Sequence, residues 1–346
     1  MKTALFSYPG DKVPSGGMLP GKDDLFRKLQ ERDIDPRVSF QAENAFADGV
    51  VDTHHLVGES GSRHAGNVAL ENVGVIVNRL DRSFRLDDLP EPWQEGMPPV
   101  ENNNTLRSLA FRKNRVQAEL LEPLGLGMPT SLIEAPADVD AFLESVVADE
   151  YIIKPTSGTF SKGIERVAKN QVATYFRDHP DQLGKVIIQP AYNFGLKIPD
   201  SIHPYDALAR EDFDAVAKSD MIKEFRVYGM YSPEKTIVFP VLRGIKDGTD
   251  NWAAVDPESF PAHVLKDAQD VVERAAHLTG SRAIYAALDV GYGQLDNAEP
   301  QFQQIEFNGR MPYLLGKDKH VAAANVLRDH FADQIAASAR SGSDKL

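Results

Sequence analysis

Two short stretches carry residue types suited to phosphate and metal chemistry. In Tyr151-Ile-Ile-Lys-Pro-Thr-Ser-Gly-Thr-Phe-Ser-Lys-Gly163 a lysine closes an apolar run, and a loop of glycines and hydroxyl residues follows. Backbone N–H groups of such a loop cradle phosphate oxygens while Lys154 adds a point charge. The same residue types also make an ordinary hairpin turn with solvated hydroxyls. The second stretch is Ile305-Glu306-Phe307-Asn308, where strand alternation sends Glu306 and Asn308 to one face. Two oxygen donors side by side suit a hard divalent cation such as Mg2+, and a solvated strand face gives the same pattern. Asp289 follows the apolar run Ile284 to Leu288 and adds a third oxygen if the two strands pair.

Two arginines lie inside strand-like runs. Arg226 falls on the same face as Glu224 by a period of two, which fits either an internal ion pair or a clamp for an anionic ligand. Arg243 closes the run Ile237 to Leu242. Other chemistries lack their signatures. The glycine loop has neither the Walker spacing nor G-x-G-x-x-G, no histidine pair at i, i+4 brackets an acid, and G-x-S-x-G is missing. With no cysteine in the chain, disulfides, thiolate zinc sites and a cysteine nucleophile are excluded, so a metal must take oxygen or imidazole ligands.

The elements that must position these residues follow from hydrophobic spacing. Thr3 to Ser7, Arg37 to Gln41 and Val73 to Asn78 read as short buried strands, with a helix over Lys22 to Arg32, so residues 1–101 form a small parallel α/β domain. Pro90 to Asn104 reads as a linker. Helices are expected over Leu106 to Leu121, Ala137 to Ala148 and Ala262 to Thr279. Strands are expected at Tyr151 to Lys154, Val186 to Gln189, Ile222 to Met230, Ile237 to Arg243, Ala283 to Val290 and Gln301 to Phe307. This count predicts an α+β region with mainly antiparallel sheets.

At 346 residues the chain has room for two or three domains, and 42% hydrophobic with 26% charged residues is ordinary globular composition. A formal charge of −13 speaks against nucleic acid as partner. The N-terminus is too short in apolar residues for a signal peptide, and no run approaches the roughly 18 to 20 apolar residues of a membrane helix, which places the protein in the cytoplasm with no membrane partner.

The order Lys113, Lys154, Gly/Ser/Thr loop, Gln189, Arg226, Arg243, Asn251, Asp289, Glu306, Asn308 resembles the ATP-grasp superfamily. It is most similar to RimK-like and glutathione-synthetase-like ligases, over roughly residues 102 to 333. The resemblance implies a pre-ATP-grasp domain at 1–101, a helical segment and small lobe with lid loop at 102–190, a large lobe with the metal site at 191–335, and a flexible tail at 336–346. It implies that Lys113, Lys154 and the lid residues Ser157, Gly158, Thr159, Ser161 and Gly163 hold the phosphates of ATP, with Gln189 and Ala191 at the adenine. Asp289, Glu306 and Asn308 would ligate Mg2+, with Mn2+ as a substitute. Arg226, Arg243 and Asn251 would serve catalysis. Two departures stand out: Lys113-Asn114 replaces the usual Asp-Lys, and Ala253-Ala254 replaces a Gly-Gly.

The activity implied is ATP-dependent carboxylate–amine ligation through an acyl phosphate, releasing ADP and phosphate, with an amino acid or small peptide as substrate. A homo-oligomer is compatible with the resemblance. Two alternatives remain open: an ATP-grasp kinase acting on a small molecule, and a non-catalytic nucleotide-binding regulator.

Overall fold

A computed structural model describes residues 1–7, 22–39, 50–57, 61–78, 100–101, 104–157, 163–194, 196–246, 249–296, 298–309 and 321–341. Its first sheet has the order β4-β3-β2-β1-β5-β6. β1 (Lys2–Ser7) is central, pairing parallel with β2 (Ile34–Ser39) and β5 (Val73–Asn78), and β6 (Val100–Glu101) adds a parallel edge. Ala4, Leu5 and Phe6 are all fully buried, as expected of a strand covered on both faces. α1 (Lys22–Gln30) covers one face through Leu25, Phe26 and Leu29. The sheet is mixed rather than purely parallel, because β3 (Val50–Val57) and β4 (Gly61–Ala69) form an antiparallel hairpin on one side. That hairpin lacked a sequence signal: polar and histidine residues interrupt any apolar run in both strands.

The second sheet, β7-β10-β8-β9, is antiparallel. Its strands are β7 (Ser131–Leu132), β8 (Glu150–Pro155), β9 (Glu165–Ala168) and β10 (Val186–Pro190). Alternation divides its faces. Tyr151, Ile153, Val186 and Ile188 pack on α4 (Pro136–Ser145) and α5 (Lys169–Asp178) in a separate core. Lys154, Ile187 and Gln189 point the other way, into a cleft.

The third sheet, β13-β12-β11-β14-β15, is antiparallel throughout. It comprises β11 (Ile222–Tyr231), β12 (Thr236–Lys246), β13 (Thr249–Ala254), β14 (Ile284–Gly293) and β15 (Gln301–Asn308). α6 (Arg210–Ala217) and α7 (Ala262–Thr279) pack on one face, and α8 (Val321–Ser341) lies between the other face and the first sheet. One continuous core therefore joins β1 and β5 to β11, β12 and β14 through α8. Among the described residues, no helix is long and apolar enough to cross a membrane.

Two further expectations need correction. The helix over Leu106 to Leu121 is broken: α2 (Asn104–Phe111) ends at Arg112, whose backbone is extended, and α3 (Lys113–Arg115) runs into a π-helix over Val116–Leu121. The Lys113 N–H donates to Thr156 O at 2.8 Å, so the break ties this segment to the end of β8. Residues 336–341, expected to begin a flexible tail, belong to α8, where Ala336, Ala337, Ser338 and Ala339 are buried. α8 is covered on two sides, by the first and third sheets, and a helix so covered carries no single apolar stripe, which is why its sequence was silent. Residues 342–346 and most of the Pro90 to Asn104 linker lie outside the described residues.

Candidate active site

The large-lobe strands set charged residues in two rows. In one, Arg243 of β12 pairs with Trp252 on one side and Glu224 on the other. In the next, Arg226 lies opposite Asp289, and Asp289 opposite Glu306. The β14–β15 register then breaks, with Val290 opposite Gln304. The extra residue, Ile305, is a bulge, and bulges re-aim side chains: Ile305, Glu306 and Phe307 all line the cleft.

Arg226 grips Asp289 with both arms, Nε to Oδ1 at 2.6 Å and Nη2 to Oδ2 at 2.7 Å. Asn308 Nδ2 donates to the same Oδ2 at 2.8 Å. Arg226 and Asp289 are only 8% and 4% exposed, so each charge depends on the other. Burial alone works against the Arg226 charge, yet Asp289 outweighs it and holds the guanidinium protonated beyond its ordinary range. Of the two readings of Arg226, the internal ion pair with Glu224 is not the one formed. Glu224 instead accepts from Arg243 Nη1 at 2.6 Å, because Arg243 lies directly across from it whereas Arg226 lies across from Asp289. Burial and the neighbouring Asp289 carboxylate push the Glu224 carboxyl up to about 7, against the pull of the two arginines.

A cleft lies between β8–β10, β15 and the helical segment around Lys113. Lys113, Lys154, Gln189 and Glu306 supply its polar lining; Val116 and Ile187 are among its apolar walls. Lys154 is 6% exposed, and burial, with Lys113 nearby, lowers its ammonium to about 8 despite the opposing pull of Glu306. Lys113 Nζ lies 3.7 Å from a Glu306 oxygen. Gln189 donates from Nε2 to Thr130 Oγ1 at 2.6 Å. The Ala191 N–H is already spent on Glu150 O at 2.9 Å, so only its carbonyl remains for a base. Ser157 follows β8 after Thr156, and Gly163, at φ 71°, takes a conformation glycine adopts without strain. Gly158, Thr159 and Ser161 lie outside the described residues.

Asn251 does not join the arginines. It pairs in register with Gly244 and its Nδ2 contacts Met221 Sδ at 3.4 Å, on the face opposite Arg243, because alternation gives the arginine face to Trp252. Trp252 is the residue that sequence reasoning missed. It is 1% exposed, with its ring centroid 4.8 Å from Arg243 Cζ and 5.2 Å from Arg226 Cζ. Only the β12–β13 register reveals this, and one sequence does not carry register.

Among the described residues, no group of three or more His, Cys, Asp or Glu side chains could hold a metal ion. Asp289, Glu306 and Asn308 form a smaller set of two carboxylates and an amide. It is all oxygen once the amide presents Oδ1, and O and N of an amide occupy equivalent positions. Glu306 lines the cleft and Asp289 lies opposite it in register, and such a set suits Mg2+, which keeps waters and substrate oxygens in its shell.

No protein-family model matches the sequence, and no curated protein does. Solved structures do match. The D-cycloserine synthetase DcsG is similar at 17% identity and TM-score 0.50, over 96% of this chain and 99% of that one. The ATP-grasp ligase PsnB, seen with a phosphomimetic variant of its minimal precursor, Mg and ADP, is similar at 16% identity and TM-score 0.54, over 98% and 99%. A RiPP-associated ATP-grasp ligase of Chryseobacterium gregarium, in complex with ADP and a leader and core peptide, is similar at 11% identity and TM-score 0.55, over 97% and 96%. Two antiparallel lobes facing each other across a lysine-lined cleft, beside a mixed α/β sheet, make the protein a two-lobed α/β plus α+β molecule. Its fold is that of the ATP-grasp ligases.

Proposed function

We propose that the protein is an ATP-dependent carboxylate–amine ligase that forms an amide or peptide bond and releases ADP and phosphate. The observation that carries this reading is one row of charged residues running away from the cleft. Lys154, Lys113 and Glu306 line the cleft, and Asp289, Asn308 and Arg226 follow on adjacent strands β14, β15 and β11.

In this reading Val116 and Ile187 take the apolar base, with Gln189 and the Ala191 carbonyl at its polar edge, and the two lysines bind phosphate oxygens. Asp289, Glu306 and Asn308 hold Mg2+, which when bound neutralises charge on those oxygens. Phosphoryl transfer asks mainly for alignment and charge neutralisation, and buried, pre-oriented guanidiniums supply both without reorganising. The substrate carboxylate attacks the γ-phosphorus, ADP leaves, and Arg226 and Arg243 offset charge on the acyl phosphate. An amine then attacks the acyl carbon, and phosphate departs with the C–O bond. An amino acid or peptide is the substrate class, supported by the peptides bound to PsnB and the Chryseobacterium ligase.

The test is ADP and phosphate release from Mg-ATP with pooled carboxylic and amino acids, with and without hydroxylamine. Hydroxamate formation with a particular acid is the expected result. A phosphoester without free phosphate would make the protein a kinase, and nucleotide binding without turnover would make it a regulator.

A further inference from the structure

We propose that Thr130 is a positioning residue for base selection: its hydroxyl holds the Gln189 amide by Nε2 and leaves Oε1 to the ligand, so the cleft takes a base with an exocyclic amino group and rejects one with a carbonyl there. This deepens the ligase reading and rests on its placement of the base beside Gln189. A threonine hydroxyl has one proton to give and lone pairs to receive with. Thr130 gives its proton to the Met128 carbonyl, which can only accept, at 2.8 Å. A lone pair is what Oγ1 has left, and Gln189 meets it at 2.6 Å. Only the NH2 end of the amide bonds there. Reversing the amide would set two oxygens against each other, or would turn the hydroxyl proton away from Met128 and leave that carbonyl without a donor among the described residues. The network therefore assigns the two ends of the amide.

Thr130 is itself held in place. Met128 is buried, Pro129 narrows the backbone of the residue before it, and the Gly127 N–H bonds Gln304 Oε1 at 3.3 Å. Ser131 of β7 pairs with Ile188 of β10, so Thr130 falls where the antiparallel register continues opposite Gln189. Gln189 is 4% exposed and lines the cleft, and none of the described residues donates to its Oε1. A donor on the ligand completes it. The amino group of adenine is such a donor, whereas a 6-oxo purine would set carbonyl oxygen against amide oxygen and leave both unpaired in a buried site, the arrangement by which hydrogen-bonding sites discriminate most strongly.

The test compares the binding of ATP and of ITP, which carries an oxo group where ATP carries the amino group, by calorimetry with Mg2+. The wild-type chain is expected to bind ATP about 30-fold or more tightly than ITP. Thr130→Val keeps the shape, frees the amide to turn, and is expected to cut that ratio about 10-fold, while Thr130→Ser keeps the hydroxyl and is expected to hold it within about 3-fold. A merely structural role would weaken both nucleotides alike and leave the ratio unmoved. In a Gln189→Leu background no amide is left to orient, so Thr130→Val is expected to change the ratio there by less than about 2-fold. An unmoved ratio in Thr130→Val, equal losses in the serine and valine variants, a further fall in the Gln189→Leu background, or a wild-type chain that binds ITP as well as ATP would each overturn the proposal. Selective ATP binding with no ADP formed from any acid refutes the ligase reading and leaves this one standing; turnover without base selectivity does the reverse, and a chain that binds neither nucleotide overturns both.

Discussion

The two walls of the cleft handle positive charge in opposite ways. On the small-lobe wall Lys154 is buried between strands whose other face is apolar core, and none of the described carboxylates forms an ion pair with it. Burial has drawn its ammonium down to about 8. On the large-lobe wall Arg226 is buried and Arg243 partly so, yet each is matched to a carboxylate at 2.6 Å. One wall leaves its charge to be completed by a ligand, and the other completes its charges in advance. The first arrangement suits binding, since an anionic ligand gains what the apo protein lacks; the second suits catalysis, since paired groups keep their geometry between turnovers.

Breaking the large-lobe pairing should have the largest effect. Asp289→Ala leaves the Arg226 charge buried and uncompensated, and should cost about 3–5 kcal/mol of stability by urea unfolding as well as all ADP release. Adding Arg226→Met to it should restore much of the stability and none of the activity, which separates folding from chemistry. Next, Glu306→Ala at the more open edge should abolish ADP formation, a loss of about 100-fold or more, with unfolding changed by less than about 1 kcal/mol. Retained turnover would remove the metal assignment.

The small-lobe wall should respond the other way. Lys154→Met should weaken nucleotide binding by about 10-fold or more while leaving the apo protein at least as stable, since a costly buried charge is gone. The pH dependence has a definite sign. A lysine whose folded value lies near 8, against 10.5 when free, binds fewer protons folded than unfolded between those values. Apo stability from this group therefore rises with pH from about 8 to 10.5 and is lost below 8, whereas nucleotide affinity falls above about 8 as the charge disappears. Calorimetry in buffers of different ionisation enthalpy should show proton uptake on nucleotide binding near pH 8 to 9, absent in Lys154→Met. The smallest effect is expected at Asn251→Ala: it faces Met221 rather than the arginines, so kcat should stay within about 3-fold.

What the sequence disclosed, and what it withheld, divides along strand direction. Lys154, Asp289 and Glu306 stand at or near the end of apolar runs, and such runs announce buried strands with polar ends. Whether two strands pair, and in what register, is a nonlocal fact. Arg226 therefore pairs with Asp289 rather than with Glu224, its same-face neighbour, and Asn251 rather than Trp252 drew attention, though one residue of register decides which shares the arginine face. The bulge at Ile305 is equally nonlocal: it exists because Val290 meets Gln304, whose amide bonds Asp267 of α7 and the Gly127 N–H. The helix α7 was legible from Ala262 to Thr279 because one face is apolar and the other wet, and α8 was not, because both of its sides are covered.

That double cover has a consequence for how the protein is made. Gly74 is the unpaired residue where β5 slips against β1, and a Cβ there would meet the Ala339 carbonyl oxygen at 2.7 Å. β1 and β5 are thus shaped to receive a helix that lies far later in the chain, and Ala4, Phe6, Val75 and Val77 have no complete cover until α8 emerges from the ribosome. The small lobe, with a core of its own, is free of that wait and can fold on the ribosome while the N-terminal sheet still presents an open apolar face to chaperones.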